Sequence, residues 1–284
     1  MVMVRIRSGL GNQLFQYATG RRLAHANNVR LKLDITSYST NPHRSYMLHC
    51  FNVNADIATK EDIDRALCDQ HEKSKPQNTV IREKCYEFDP TVLGLRGNFY
   101  LDGHWQSEKY FRDIEEIVRK ELTLKTILDP RNRIMADGIC SSNAVSIHVR
   151  RGDYYHIPSV YKVHGVLPLD YYRRAISLVR MNVNRPHFYV FSDEPEWARI
   201  NLGFVHPMTV VDTNTSDQAH EDLRLMSLCK HHIIANSTLS WWGAWLCTHT
   251  AKIVCVPERW FKKDGVNTQD LIPPSWIKLA FSKR

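Results

Sequence analysis

The sequence has no continuous apolar run of about 18 residues, the length that suggests a membrane-spanning helix. Its N-terminus, MVMVRIRSGLGNQ, also lacks a long apolar segment, so no secretory signal is predicted. The seven cysteines are odd in number, and no two of them are spaced as CxxC. These absences disfavour a disulfide framework and a cysteine zinc site. We therefore expect reduced thiols and a cytoplasmic location.

Sequence signatures of several common chemistries are missing as well. The sequence contains neither the GxSxG elbow of serine hydrolases nor a GK[ST] phosphate loop, and it has no HExxH zinc helix. The adjacent His231 and His232 would point to opposite faces of a strand, which does not suit one metal ion. We interpret them as core or surface histidines, and we expect no metal site.

The composition is that of a globular protein with a basic excess. Of the 284 residues, 43% are hydrophobic and 24% charged, which suits one large domain or two ordinary ones. The net charge of +8 is compatible with nucleic acid, an anionic membrane surface or phosphorylated small molecules as partners. The basic clusters are short pairs such as Arg150-Arg151 and Lys262-Lys263, which disfavours a nucleic-acid-binding arm.

The first part of the chain begins with the pattern of a βαβ unit. A β-prone stretch at 1–7 and a glycine turn are followed by a helical stretch at 13–27 and a second strand at 29–33. This order implies parallel pairing of the two strands. The stretch 36–98 is less regular, and we predict insertions there, with one helix at 60–67. Residues 107–122 have the apolar spacing of an amphipathic helix.

From residue 144, predicted strands and helices alternate. The strands lie at 144–149, 187–191, 210–211, 232–235 and 253–256, and the helices at 169–181, 194–202, 221–229 and 240–247. This repetition predicts a doubly wound α/β domain, in which ligands bind beyond the carboxyl ends of the strands. We interpret 128–142 as a hinge and place the domain boundary between residues 140 and 141.

Two of the motifs at predicted strand ends could bind an anion. In GLGNQ (9–13) the glycines allow close approach of a ligand to a helix N-terminus, although a plain tight turn explains the motif equally well. In HVRRGD (148–153), strand alternation places His148 and Arg150 on one face and Arg151 on the other. One arginine could then bind phosphate while a carboxylate such as Asp153 holds the other; the alternative is a surface ion pair.

Two further motifs also follow predicted strands. In FSDEPEW (191–197), Ser192 or Asp193 has the character of a helix N-cap, and the acid could also accept hydrogen bonds from a ribose or a base. In ANSTLSWWGAW (235–245), Ser237 and Thr238 stand just before a predicted helix and form a second candidate phosphate site. We interpret the three tryptophans of this motif as packing residues.

The motifs GLGNQLFQYA (9–18), HVRRGDYY (148–155), YVFSDEPEW (189–197) and ANSTLSWWGAWL (235–246) together resemble the α-1,2-fucosyltransferases of bacteria and animals. HxRRxD alone is shared with α-1,6 and protein O-fucosyltransferases, whereas the first and last motifs favour the α-1,2 branch. The resemblance implies an α/β fold of GT-B type, with two Rossmann-like domains facing a cleft. Residues 1–140 would then form the acceptor side, and residues 141–284 would bind GDP-fucose.

The resemblance also implies a reaction: inverting transfer of L-fucose from GDP-β-L-fucose to the 2-hydroxyl of a terminal β-galactoside, in O-antigen, capsule or oligosaccharide synthesis. GDP-fucose would be a co-substrate, and no cofactor or metal is expected. Arg150 would grip the β-phosphate, and Asp153 is the nearest candidate for a general base, with a structural ion pair as the alternative. The residues expected to bind substrate are Gly11, Asn12, His148, Arg151, Asp193, Ser237 and Thr238, with the first two acting from the N-terminal domain.

Two other functions stay open at this point. A fucosyltransferase of another linkage, α-1,6 or protein O-linked, would keep the donor and change the acceptor. A basic nucleic-acid-binding protein is a more distant alternative. The basic charge could also hold the enzyme at the inner face of an anionic membrane, so that a cytoplasmic protein would be membrane-peripheral.

Overall fold

The computed structural model describes residues 1–39, 44–68 and 79–281, and the chain divides into two compact units. The first unit comprises Met1–Lys125 and Asn267–Pro273, and the second comprises Thr126–Val266 and Pro274–Arg284. Each unit contains its own parallel β-sheet. The boundary placed between residues 140 and 141 therefore falls inside the second unit.

The first unit is built around a five-stranded sheet with the order β3-β2-β1-β5-β4. Its strands are β1 (Val2–Arg5), β2 (Leu31–Asp34), β3 (Asp56–Ile57), β4 (Thr79–Arg82) and β5 (Phe99–Asp102). Its helices are α1 (Leu10–Ala26), α2 (Lys60–Cys68) and α3 (Glu115–Glu121). The central strand β1 is apolar over Val2, Met3 and Val4, all fully buried, as parallel sheets covered on both faces require.

The predicted βαβ unit and the helix at 60–67 are confirmed. The interpretation of 36–98 as insertions is wrong, because this stretch supplies β3 and β4, the two edge strands of the sheet. Both strands are short and only half-buried, so they carry no apolar run that would reveal them. The polar residues at 71–78 lie outside the described part. The helix predicted at 107–122 begins as two short 3₁₀ turns, and only its last part is α3.

The second unit contains a six-stranded parallel sheet with the order β11-β10-β9-β6-β7-β8. Its strands are β6 (Asn143–Val149), β7 (Pro186–Ser192), β8 (Met208–Val211), β9 (His231–Ile233), β10 (Val254–Pro257) and β11 (Ile277–Leu279). Its helices are α4 (Pro130–Cys140), α5 (Gly152–His156), α6 (Pro158–His164), α7 (Leu169–Asn182), α8 (Pro195–Asn201), α9 (Ala219–Leu228) and α10 (Thr238–Leu246). The predicted doubly wound domain is confirmed.

Helices cover both faces of this second sheet. One apolar cluster joins α7 and α8 to the sheet through Ile176 and Ala198, and the other joins α4 and α9 through Ile139 and Leu225. The chain leaves β6 toward β7, whereas β9 pairs on the other side of β6, so the winding reverses between β6 and β9. A crevice at such a reversal is the usual ligand site of this architecture.

The stretch 128–142, which we interpreted as a hinge, consists mainly of helix α4 (Pro130–Cys140). The Asp129 carboxylate caps it by accepting hydrogen bonds from the backbone N–H groups of Arg131 and Asn132 at 2.9 and 3.0 Å. Pro130 occupies the first helical position, where its missing N–H costs nothing. An Asp-Pro pair predicts a turn and a helix start equally well, and here it starts a helix.

The tryptophans of α10 are packing residues, as predicted, because Trp241, Trp242 and Trp245 are all buried. None of the helices within the described ranges is both long and apolar enough to cross a membrane.

Candidate active site

The predicted site residues of the second unit lie at the carboxyl edge of three neighbouring strands. Arg150 and Arg151 follow β6, Asp193 follows β7, and Ser237 lies in the segment between β9 and α10. Because β7, β6 and β9 are adjacent in the parallel sheet, these segments share one edge. The structure thus brings together three of the four motifs that the sequence singled out.

Arg150 is held by two carboxylates. Its Nη2 lies 2.6 Å from Asp153 Oδ1, and its Nη1 lies 3.1 Å from Asp193 Oδ2. Partial burial opposes the charged guanidinium, but the two acids outweigh burial and raise the pKa of Arg150. The side chain is therefore a fixed cation at the sheet edge, and charge-assisted pairs of this kind also fix its orientation.

Arg151 has a different set of neighbours. Its Nε donates to Glu194 Oε2 at 2.9 Å, and its Cζ lies 4.1 Å from the Trp197 ring centroid and 4.5 Å from that of Tyr155. The expected carboxylate partner exists, but it is Glu194 and not Asp153. The two arginines therefore take separate partners, as strand alternation predicts.

Glu194 joins a second basic group to this cluster. Its Oε1 lies 2.9 Å from His156 Nε2. Burial works against ionisation of Glu194, but the hydrogen bonds and charges of Arg151 and His156 outweigh burial and lower the pKa of the carboxyl group. Sequence reasoning missed Glu194 as a site residue, although it stands directly after Asp193.

The parallel register of β6 and β7 explains both ion pairs. The last paired residues are Val149 and Ser192. If the same register is continued beyond the strand ends, Arg150 lies beside Asp193 and Arg151 lies beside Glu194. A sequence alone does not fix this register, so it names Asp153 as one possible partner and does not identify Glu194 as the partner of Arg151.

Neither Ser192 nor Asp193 is the N-cap of the helix that follows. The N-cap of α8 is Glu194, and Ser192 Oγ accepts a hydrogen bond from its backbone N–H at 3.0 Å. Asp193 instead receives the backbone N–H of Arg151 at 2.9 Å in addition to the Arg150 guanidinium. Burial raises the pKa of Asp193, although the Arg150 charge and the hydrogen bond from the Arg151 backbone oppose the rise.

Gly152 allows the acid and the loop to approach each other. A Cβ atom at this position would lie 2.6 Å from Asp193 Oδ2, far inside normal contact distance. The absence of a side chain at Gly152 therefore allows Asp193 to lie where it pairs with Arg150 and accepts the Arg151 backbone N–H.

His148 is buried in β6 and is 5% exposed. Burial, with a smaller contribution from the Arg150 charge, lowers the pKa of His148 to about 3, so the imidazole is neutral near pH 7. Within the described residues its Nδ1 has no hydrogen-bond partner. The predicted contact of His148 with guanosine is not tested by these features and stays a prediction.

The Asn236 side chain ties the segment between β9 and α10 to two other loops by hydrogen bonds. Its Nδ2 donates to the carbonyl oxygens of His164 and Trp260 at 3.0 and 3.1 Å. The Tyr154 hydroxyl donates to the Asn236 carbonyl at 3.4 Å, and the Tyr154 ring centroid lies 5.4 Å from Arg150 Cζ. The start of α10 is thereby linked to the arginine loop.

Ser237 is buried and serves as the N-cap position of α10, and the half-buried Thr238 is the first residue of that helix. An α-helix N-terminus carries a partial positive charge and presents backbone N–H groups. The edge of the sheet therefore combines a fixed guanidinium with a helix N-terminus, which is chemistry suited to a phosphate group.

Gly11 and Asn12 belong to the first unit. Gly11 is buried in the first turn of α1, and Asn12 Oδ1 accepts a hydrogen bond from Gln106 Nε2 at 2.7 Å. Their part in substrate binding stays a prediction.

The adjacent histidines of β9 have structural partners. His232 Nδ1 lies 2.8 Å from Ser146 Oγ, and His231 Nδ1 accepts the backbone N–H of Ile253 at 3.1 Å. Across the described residues, no cluster of three or more His, Cys, Asp or Glu side chains is arranged to hold a metal ion.

Comparison with known proteins identifies the relatives of this chain. The model of glycosyl transferase family 11 matches residues 1–280. An α-1,2-colitosyltransferase of Escherichia coli is 32% identical over 98% of this chain and 99% of its own. The O-antigen biosynthesis glycosyltransferase WbnK of Escherichia coli is also 32% identical, over 96% of this chain and 99% of its own.

The fold has solved counterparts. The fucosyltransferase NodZ from Bradyrhizobium matches with a TM-score of 0.51 at 13% identity, over 85% of this chain and 91% of that chain. NodZ, an α-1,6-fucosyltransferase, has also been crystallised with GDP. The α/β fold of GT-B type that the sequence predicted is confirmed.

Proposed function

This chain belongs to glycosyl transferase family 11, and from that premise we propose that it moves L-fucose from GDP-β-L-fucose to the 2-hydroxyl of a terminal β-galactoside. Its relatives, an α-1,2-colitosyltransferase and an O-antigen biosynthesis glycosyltransferase, support an α-1,2 linkage and a place in O-antigen synthesis. The GDP complex of the structural neighbour NodZ supports a guanosine diphosphate donor.

The reaction breaks the bond between the anomeric carbon of fucose and an oxygen of the β-phosphate. The acceptor 2-hydroxyl oxygen forms the new bond from the opposite face, so the configuration inverts, and its proton passes to a general base. Negative charge collects on the departing GDP, and the enzyme must stabilise it. In our proposal Arg150 supplies this stabilisation in place of a metal ion.

The observation that carries the proposal is the geometry of Arg150. A guanidinium at the sheet edge, oriented by Asp153 at 2.6 Å and Asp193 at 3.1 Å, is prepared for a phosphate oxygen before the donor arrives. The start of α10, with Ser237 and Thr238, would donate further hydrogen bonds to the diphosphate. Asp153 acts here as a positioning residue.

Replacement of Arg150 tests this role. We expect Arg150→Ala to lower kcat by about 10³-fold or more, in line with other arginines that stabilise phosphate leaving groups. Arg150→Lys should restore only part of the rate, because an ammonium lacks the planar fork. Transfer from GDP-fucose would be measured with lactose, Galβ1-3GlcNAc, Galβ1-3GalNAc and Galβ1-4GlcNAc.

Arg174→Ala is the matched control, because Arg174 is exposed in α7, where it forms an ion pair with Asp170 one turn away and donates a hydrogen bond to the Ala280 carbonyl at 3.4 Å. Near-normal transfer by Arg150→Ala would overturn the assignment. Linkage analysis of the product by NMR distinguishes α-1,2 transfer from the α-1,6 alternative.

The named activity of one relative favours a second candidate donor, GDP-colitose. Colitose is the 3-deoxy counterpart of L-fucose, so the two donors differ by one hydroxyl group. A site that hydrogen-bonds a substrate hydroxyl rejects the analogue that lacks it by about 10⁴-fold. The ratio of kcat/KM for the two GDP-sugars therefore identifies the natural donor.

A further inference from the structure

A cavity of about 550 Å³ lies in the second unit, beside the arginine pair. Its wall includes Arg151, whereas Arg150, Asp153 and Ser237 are not among the described residues that line it. A space of this volume holds a ligand of about disaccharide size. Because the residues proposed for the donor phosphates are not in its wall, we take the cavity as a candidate site for the acceptor, in the second unit and not within residues 1–140, where the resemblance placed the acceptor side.

Arg151 is held in a fixed position where it lines this cavity. Its Nε donates a hydrogen bond to Glu194, and its guanidinium plane is packed against the rings of Trp197 and Tyr155. In the part of the chain that the structure describes, its two Nη atoms have no hydrogen-bond acceptor. A guanidinium edge fixed in this way is suited to a carboxylate or a phosphate.

Lys262 is a second cationic residue that lines the same cavity. Its Nζ lies 3.8 Å from the Tyr161 ring centroid, and its backbone N–H donates to the Val163 carbonyl at 2.9 Å, which fixes the loop. The neighbouring Arg259 is paired with Asp264 at 2.5 Å. No carboxylate among the described residues pairs with Lys262, so its charge is available to a ligand.

Two lining residues also have buried polar atoms that lack a partner. Asn236, 2% exposed, uses its Nδ2 on two carbonyl groups, but its Oδ1 accepts no hydrogen bond within the described residues. His164 Nδ1 is in the same situation. Buried polar atoms of folded proteins are nearly always hydrogen-bonded, so each unpaired atom requires an explanation. A ligand rich in hydroxyl groups would bring such partners near.

We propose that this cavity binds a sugar residue of the acceptor that carries an anionic group, a phosphate or a carboxylate. The anion lies at Arg151 and Lys262, and the sugar ring lies along the aromatic wall near Tyr155 and Tyr161. This inference rests on the proposed function, since the second substrate is a glycan only if the enzyme transfers a sugar.

The test compares acceptors that differ only in charge. Galβ1-3GlcNAc is the neutral acceptor, its 1-phosphate carries a phosphate, and Galβ1-3GlcA carries a carboxylate. We expect Lys262→Ala to raise KM about tenfold for at least one anionic acceptor, which corresponds to about 1.4 kcal/mol. KM for the neutral acceptor and Kd for GDP should change less than about twofold.

Lys263→Ala is the matched control, because it removes the same charge at the next position, which does not line the cavity. It should leave KM unchanged for all three acceptors. An effect of Lys262→Ala confined to the 1-phosphate identifies a glycosyl phosphate as the anion, and one confined to Galβ1-3GlcA identifies a uronic acid. Either result supports the site.

Three results would overturn the inference: an equal rise of KM for neutral and anionic acceptors, no rise for any acceptor, or a tenfold loss of GDP affinity. The last would assign the cavity to the donor. If the wild-type enzyme consumes no GDP-sugar, the proposed function fails by itself. Titration calorimetry of the disaccharide 1-phosphate with Lys262→Ala and Lys263→Ala then still decides whether the cavity binds an anionic sugar.

Discussion

Arg150 and Arg151 are adjacent in sequence and equal in charge, yet their surroundings prepare them for different work. Arg150 is bound by two aspartates, so an incoming phosphate meets a guanidinium that is already oriented. Arg151 is bound by Glu194 and by aromatic rings, and it lines the cavity beside them. A single stretch of loop thus supplies the donor side and the proposed acceptor side.

Gly152→Ala should damage catalysis without removing any charged group. The added Cβ would collide with Asp193 Oδ2, and the carboxylate that holds Arg150 would have to move. Displacements of about 1 Å in positioning groups can cost about 100-fold in rate, so we expect a fall in kcat/KM of between about 10- and 100-fold. Steady-state transfer assays measure it.

Gly94→Ala serves as the control, because no atom lies within 4 Å of a Cβ at that position. Activity of Gly152→Ala within about twofold of the wild type would show that Asp193 does not position Arg150.

At the scale of single residues, strand alternation predicted separate roles for Arg150 and Arg151, one meeting an anion and the other held by a carboxylate, and the family resemblance implied that Arg150 meets the anion. The sequence could not predict that the carboxylate partner of Arg151 is Glu194, because strand register depends on long-range packing between β6 and β7. It also gave no sign of the unpaired Oδ1 of Asn236, since burial of one atom is a tertiary property.

Helices and strands differ in how well the sequence reveals them. The helices of the second unit, such as α7, bury one apolar face and are visible from their spacing. The edge strands β3 and β4 are short and half-exposed, so neither composition nor alternation marks them. Helix α4 was misread because its capping residues are also turn residues.

The cap of α4 should contribute measurably to stability. Asp129→Ala removes the acceptor of two backbone N–H groups, and we expect a loss of about 1 kcal/mol in the free energy of unfolding. The measurement is the urea midpoint followed by circular dichroism.

Asp137→Ala, an exposed position in the same helix, should change stability by less than about 0.5 kcal/mol. Equal effects of the two substitutions would mean that charge, and not the cap, is responsible.

For the whole molecule, net charge is the property with a direct consequence. A chain of charge +8 should be attracted to anionic lipid, with about 1 kcal/mol for each basic side chain that comes near the surface. We expect the protein to sediment with phosphatidylserine-containing vesicles at low salt and to be released as ionic strength rises.

Vesicles of phosphatidylcholine alone are the control for this experiment and should not retain the protein. Failure to bind the anionic vesicles, or binding that salt does not weaken, would contradict membrane attachment by charge.

The way the chain is shared between the two units limits how such enzymes can be recombined. The short segment Asn267–Pro273 belongs to the first unit although it lies between parts of the second. Within it, Asp270 binds Lys109 at 2.5 Å and accepts the backbone N–H of Phe88 at 2.9 Å. A chimera made with one crossover near residue 125 would separate these partners between two parents. Exchange of intact units between family members therefore needs three crossovers, and shuffled libraries should be designed with them.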